Sequence, residues 1–388
     1  MNIGIDIRVL SSSKLTGVGK YILNAVSHIL EADKKNNYFL FSSGLKNNPA
    51  DRLNFEQENF QHTHIRYSNK LLNLGFLSAL GPRINNFFPK KIDLFWMPNL
   101  NFARFNCSTP LVLTVHDLSF LHSREFYSLR RRYWHHLVNV KRLVRRADKI
   151  IAVSDNTKRD IIRFFPTTKD KIEVINPGID CNKMSRDRAR ELTKKFALPR
   201  IYFIYVGTLE PRKNISSIVK AFDKYHREFS DIDLVIVGGK GWVYEKLLKK
   251  INRRKYVHYL DYVDGPTKDA LYMLSQGLIW PSFYEGFGFP PLEAVCHKIP
   301  VIASYKTSLP EIMQDQAIYV DPYNVFDIYQ ALKLLTKDDK LKEQFRQSAD
   351  KFSIPQWPKQ VTKIINLFSA IGTPRGDAGG SDYGGNRK

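Results

Sequence analysis

Two glutamates, Glu285 and Glu293, stand eight positions apart and enclose Gly286-Phe-Gly-Phe-Pro-Pro-Leu292, directly after the apolar Leu278-Ile-Trp-Pro281. This order reads as a strand, a loop and the start of a helix. The glycines let backbone come close to a ligand, and Pro290-Pro291 suits a first helical turn, which puts Glu293 in that turn. Free N–H groups at a helix N-terminus attract anions, and each carboxylate can accept a pair of hydroxyl hydrogen bonds. Phosphate recognition beside diol recognition is the chemistry of a sugar nucleotide. Charge complementarity between acids and a helix N-terminus is the plainer alternative, and the intervening glycines disfavour it.

Three other loops carry chemistry of the same kind. In Gly207-Thr-Leu-Glu-Pro-Arg-Lys-Asn214, which follows the strand-like Ile201–Val206, Arg212 and Lys213 precede Asn214, an N-cap for the next helix. Guanidinium, ammonium and helix N-terminus could converge there on one anion and balance a diphosphate without a metal ion. Gly207 places the pair at a strand's carboxyl edge. His116-Asp117 follows Leu111–Val115, where an imidazole can bond a substrate hydroxyl or help stabilise a transition state. Asp117 either orients that ring or caps the next turn of chain. Thr16-Gly-Val-Gly-Lys20 opens a helix and can turn backbone N–H groups onto a phosphate, although it fits neither the dinucleotide fingerprint nor a P-loop. The loop Ser304–Glu311 is expected to line the same cleft.

The elements that must position these loops form two series. Ile3–Arg8, Asp93–Met97, Leu111–Val115 and Lys149–Val153 read as strands of a first sheet, and Ile201–Val206, Asp233–Val237, Val257–Leu260, Gly277–Trp280 and Pro300–Ala303 as strands of a second. Helix-length periodic segments separate them, which argues for α/β architecture with two doubly wound parallel sheets. Pro177-Gly178, after a further strand Ile172–Ile175, marks the break. The expected organisation is an N-terminal domain over 1–178, a C-terminal domain over 179–355, a final helix over 356–371 and a disordered tail over 372–388, where Gly, Asp, Arg and Ser show no apolar period.

The chain has 388 residues, 43% of them hydrophobic, and a formal charge of +22, which calls for an acidic partner. From Phe126 to Ala147 seven basic and no acidic residues interleave with apolar ones, as in one basic amphipathic helix packed on a core or resting on an anionic membrane surface. No nucleic-acid-binding motif accompanies the charge, so nucleic acid is not an expected partner. Three cysteines, widely spaced, form no readable disulfide or zinc pattern and favour a reducing compartment. The charged N-terminus is not a signal peptide, and no uncharged apolar run reaches the roughly 18 residues of a spanning helix. A cytoplasmic, soluble or peripheral protein is expected.

Gly207-Thr-Leu-Glu-Pro-Arg-Lys-Asn214 followed by Pro281-Ser-Phe-Tyr-Glu-Gly-Phe-Gly-Phe-Pro-Pro-Leu-Glu293 resembles the donor-site signature of the family 4 retaining glycosyltransferases. The resemblance implies a GT-B fold: two Rossmann-like domains facing across a cleft, acceptor on the first, nucleotide sugar on the second, and a last helix crossing back. It implies Arg212 and Lys213 on the donor diphosphate and Glu293 on the ribose. Glu285, with the backbone of Phe287 and Gly288, would hold the transferred sugar, Gly207 would border the donor, Gly17 would approach the phosphates from the opposite domain, and His116 would touch the sugar near its 6-position. No cofactor or metal is implied, and displacement occurs on one face of the sugar. Within the family Ile5-Asp-Ile-Arg8, Thr16-Gly-Val-Gly19 and Thr114-Val-His-Asp-Leu118 resemble bacterial O-antigen and polysaccharide mannosyltransferases. That implies GDP-mannose as donor, a lipid-linked saccharide as acceptor and a place on the inner face of the cell membrane. UDP- or dTDP-sugar donors, or a noncatalytic binding protein, are the alternatives.

Overall fold

The structure is a computed structural model that describes residues 1–12, 15–45, 49, 57–78 and 80–372. The expected tail thus lies outside the described residues, apart from Gly372, which ends the last helix. Among the described residues thirteen strands form two all-parallel sheets. The first contains β1 (Asn2–Asp6), β2 (Asn37–Ser43), β3 (Phe60–Ile65), β4 (Leu94–Met97), β5 (Leu111–Val115), β6 (Lys149–Ala152) and β7 (Ile172–Val174), in the order β3-β2-β1-β4-β5-β6-β7. The second contains β8 (Tyr202–Val206), β9 (Asp233–Val237), β10 (Val257–Leu260), β11 (Leu278–Trp280), β12 (Val301–Ser304) and β13 (Ile318–Val320), in the order β10-β9-β8-β11-β12-β13. The order reverses between β1 and β4 and between β8 and β11. Such switch points open a crevice beyond the strands' carboxyl ends, which is where open α/β sheets bind ligands.

The central strands are apolar runs because helices cover both of their faces. β2, β3 and β13 have no counterpart in the pattern read from sequence. β3, Phe60-Gln-His-Thr-His-Ile, lies at a sheet edge and is only half-buried, so it needs no continuous apolar run. β1 stops at Asp6, two residues short of the expected end, because Arg8 folds back onto the Asp6 carboxylate with Nε at 2.9 Å and Nη2 at 2.6 Å. The single basic helix expected over 126–147 is broken. Asn139 takes a left-handed conformation (φ 50°) between the helices Leu129–Val138 and Val140–Arg146. Val138, Val140, Leu143 and Val144 are buried in the N-terminal core, so most of the apolar face serves packing.

The cysteine reading also changes. Cys181 and Cys296, 115 residues apart, form a disulfide that joins the segment leaving the first domain to the end of the helix Phe289–Cys296. Spacing along the chain could not reveal a pair that only the docking of linker on helix creates, and the odd count loses its force as a sign of a reducing compartment.

The final helix, Trp357–Gly372, returns to the first domain and packs on the helix Gly17–Ala32. Trp357, Val361, Ile364, Leu367 and Phe368 are buried with Ile3, Ile5, Ile22 and Trp96. The outgoing and returning chains run side by side, with Ile179 N–H donating to Pro355 O at 2.8 Å. A Cβ on Gly178 would lie 2.4 Å from the Trp357 ring, so only glycine admits the indole there. Replacing Trp357 by Ala should therefore destabilise the N-terminal domain by about 3–5 kcal/mol, read as a lower denaturant midpoint.

Candidate active site

The loops after β8 and β11 meet at the second switch point and are zipped together. Phe283 N–H donates to Arg212 O (3.0 Å) and Arg212 Nη1 to Tyr284 O (2.7 Å). Asn214, left-handed at φ 58°, does not cap the helix Ile215–Tyr225 with its side chain, as its position predicts. Its amide donates instead to Pro281 O (3.0 Å) and Pro322 O (2.6 Å), tying three loops into one frame.

Inside that frame sits a buried charge cluster. Lys213 Nζ lies 2.7 and 2.8 Å from the two Glu285 oxygens and 4.7 Å from the centre of the Trp280 ring. Arg212 reaches Glu285 at 3.3 Å, Glu210 at 2.8 Å and Asp117 of the opposite domain at 4.0 Å. Burial opposes the guanidinium's charge, yet Glu210, Glu285 and Asp117 drive it well above its usual range. Burial likewise raises the Glu285 carboxyl, and Lys213 with Arg212 outweighs that and holds it below the ordinary carboxylate value. The expected anion-binding cations are here, but each already has a carboxylate counter-ion. Glu210, which sequence reading passed over inside its own motif, supplies one of them.

Glu293 occupies a second buried pair. The helix begins at Phe289 with the two prolines in its first turn, and Gly288 caps it at φ 123°, so Glu293 falls beyond the first turn where the spacing put it. Lys268 Nζ lies 2.5 Å from one oxygen and Tyr272 OH donates to the other at 3.2 Å. Burial raises this carboxyl too, and Lys268 together with Lys20 of the first domain brings it below its ordinary value. Sequence reading assigns neither lysine a role: Lys20 only closes the Thr16–Lys20 motif, and Lys268 lies on the helix Gly265–Leu274 with no local signature to mark it.

The remaining expected residues divide by role. His116 donates from Nε2 to Pro98 O at 2.8 Å, and its ring meets Tyr21 edge-on at 4.7 Å. Since a carbonyl only accepts, Nδ1 of the neutral ring is left as an acceptor. Burial lowers its pKa and keeps it neutral. Gly17 starts its helix opposite the second domain, where a Cβ would come within 3.8 Å of the Phe289 ring. The Phe287 carbonyl accepts from Ser308 Oγ at 2.8 Å, so the loop's conformation is fixed from below. Gly207 is closely packed: its Cβ would lie 2.8 Å from the Trp280 ring and 2.9 Å from the Tyr205 hydroxyl. Glu311, at the end of the loop expected to line the cleft, accepts from the N–H groups of Asp155 (2.7 Å) and Asn156 (2.9 Å) and so caps a helix of the other domain across it. Ser154, which also caps that helix, donates to Gly286 O at 2.6 Å. A Cβ on Gly286 would fall 1.7 Å from the His116 carbonyl oxygen. The two domains therefore touch through glycine backbone at the centre of the cleft.

This chain matches the model of Glycosyltransferase Family 4 over residues 15–183 and that of the glycosyl transferases group 1 over 189–352. The chain is a glycosyltransferase. Among this glycosyltransferase's relatives, O-antigen chain mannosyltransferase B of Escherichia coli is 28% identical over 92% of this chain and 97% of that protein. The serotype-specific mannosyltransferase WbdA of Escherichia coli is 26% identical over 67% of this chain and 33% of its own longer length. The fold of the present chain is GT-B. A sucrose-phosphate synthase from Thermosynechococcus elongatus superposes with a TM-score of 0.73 at 17% identity, covering 96% of this chain and 99% of that one. Anabaena HepE in complex with UDP and glucose does so at 0.67 and 15%, covering 95% and 99%. At those identities the likeness speaks to the fold alone.

The depressed carboxyls imply a pH dependence. A group whose folded pKa is lowered contributes its stability above the unfolded value, here the ordinary 4.5, and loses it as pH falls through the folded value. The melting-temperature gap between wild type and Glu293→Gln should thus be widest at neutral pH and close in solutions well below pH 4.5. A gap independent of pH would show that Glu293 is not held ionised by its lysines.

Proposed function

We propose that this glycosyltransferase moves mannose from GDP-mannose, with retention of anomeric configuration and without a metal ion, onto a lipid-linked saccharide in O-antigen or related surface-polysaccharide synthesis. The work takes place at the cytoplasmic face of the membrane. The observation that carries the reading is the buried Arg212–Lys213–Glu285 cluster at the second switch point, with Glu293 one helix further on.

Breaking the anomeric bond puts negative charge on the departing diphosphate and positive character on the sugar. Arg212 and Lys213 supply preorganised donors for that charge when the diphosphate takes the place of their carboxylate partners. Glu285, released from Lys213, then accepts sugar hydroxyls, and Glu293 accepts those of the ribose. The neutral His116 ring accepts a hydroxyl hydrogen bond at Nδ1. A space of about 290 Å³ lined by Thr16 from the first domain and Thr208, Gly239, Lys240, Asp261 and Tyr262 from the second suits a nucleobase. A double displacement needs a free carboxylate behind the sugar. With Glu285 taken up by sugar hydroxyls and Glu293 by the ribose, neither is free for that role, which favours displacement on one face, with the leaving phosphate taking the acceptor's proton. The mannosyl donor and the O-antigen setting are supported by the relatives' activities.

Ligands that bind only the folded state raise its melting temperature. In a panel of GDP-, UDP- and dTDP-sugars, GDP-mannose should give the largest shift, and a shift with a UDP-sugar but none with GDP-mannose would refute the donor. Arg212→Ala and Lys213→Ala should each lower the rate of nucleoside diphosphate release about a hundredfold, the equivalent of roughly 3 kcal/mol, with native circular dichroism. Wild-type turnover in either variant would remove that residue from the diphosphate.

A further inference from the structure

The helix Asn69–Leu77 is apolar on two opposite faces. Leu72 and Phe76 are buried in the N-terminal core. At 3.6 residues per turn, Leu71, Leu74 and Leu77 fall on the far side, where they are 64%, 63% and 46% exposed. Tyr67 just before the helix is 58% exposed and Leu80 just after it 98%. Single exposed leucines need no explanation, but a contiguous set marks a contact surface, because a helix bordering water ordinarily turns polar residues outward. The surrounding stretch 59–92 contains no Asp or Glu and five basic residues, Arg66, Lys70, Arg83, Lys90 and Lys91.

The helix stands at the ligand edge of its sheet. Ser43, at the carboxyl end of β2, donates to Asn69 Oδ1 at 2.5 Å, and Arg8, just past β1, reaches Asn73 Oδ1 at 3.5 Å. Arg8 also donates to Phe102 O at 2.7 Å, and the Phe102 ring meets Trp134 edge-on at 5.7 Å. Trp134 belongs to the helix Leu129–Val138, which exposes Leu129 and Tyr133 beside Arg130. Two helices that expose apolar side chains among cations thus flank the same strand ends.

We propose that the outer face of the helix Asn69–Leu77, with Leu80, is the surface by which the enzyme seats itself on an anionic bilayer. Its leucines enter the acyl boundary while Lys70 and the neighbouring cations meet the headgroups. The proposal rests on the reading that the acceptor is lipid-linked. A bilayer fits better than a second copy of the chain, since a self-complementary contact would bring two cationic rims together. The helix lies on the membrane rather than across it, for no described helix is long and apolar enough to span one. Seated this way, the strand ends of the first domain open beside the lipid surface that would deliver the acceptor.

Co-sedimentation of the full chain with phosphatidylcholine vesicles, with and without phosphatidylglycerol, tests this. Wild type should partition onto the anionic vesicles and less so in high salt, and Leu74→Asp/Leu77→Asp should weaken that partition about tenfold or more. The variant should keep the wild-type melting temperature and the wild-type shift with nucleotide sugar, because both side chains are exposed. Equal partition of variant and wild type would overturn the proposal, as would a wild type indifferent to anionic lipid. A dimer in size exclusion that the variant splits would overturn it by making the patch a subunit interface. Absence of any nucleotide-sugar shift in both proteins would instead overturn the reading of the active site, and leave vesicle binding to decide the docking surface separately.

Discussion

Everything in the cleft is arranged around two buried cations, Arg212 and Lys213, paired with Glu210 and Glu285. Burial opposes both charges; the carboxylates still drive the guanidinium above its usual range, whereas at Lys213 burial outweighs them and lowers the pKa of the ammonium. An unpaired buried ion costs several kcal/mol. The carboxylates therefore do more than wait for hydroxyls; they keep the unliganded cleft folded. The same pairing joins the loop after β8 to the loop after β11, and Asn214 extends it to Pro322 after β13. A diphosphate entering this frame exchanges one set of counter-ions for another. That exchange couples binding of the nucleotide to release of Glu285, so one movement prepares both the leaving group and the sugar site in the mechanism proposed here.

Glycine controls how closely the domains approach. Gly286 lets the loop after β11 rest on the His116 carbonyl, and the contact is framed by Ser154 and by Glu311 capping a helix across the cleft. The Tyr284 hydroxyl adds a bond to Asp160 on the same side. These links are hydrogen bonds between polar groups that border the cleft. The clasp at the other end is different in kind. Trp357 buried against Gly178, and the last helix buried against Ile3, Ile5 and Ile22, make the returning chain part of the first domain's core. At one end of the interface the domains meet through polar groups, at the other through shared core packing.

The basic excess also divides by position. Its densest stretch, 126–147, spends most of its apolar residues on the core, whereas the helix Asn69–Leu77 keeps an apolar face outside. Composition alone pointed to the first and missed the second, because a leucine-rich segment with few charges looks like any core helix until its partner face is located.

Sequence by itself determined the architecture and marked the charged loops that meet in the cleft. Short β-branched apolar runs alternating with helical segments required two parallel sheets, and Arg212, Lys213, Glu285 and His116 stood in loops at strand ends, with Glu293 on the helix after one of them, because those loops have local signatures of glycine, proline and charge. What lies between residues distant in the chain was decided only by tertiary structure. The Lys268–Glu293 pair, the Cys181–Cys296 bond, the packing role of Gly207, the break at Asn139 and the edge strand β3 each depend on which surfaces meet. Local sequence constrains backbone conformation and burial period; partner choice is set by the packing of whole elements, and no short stretch of sequence contains it.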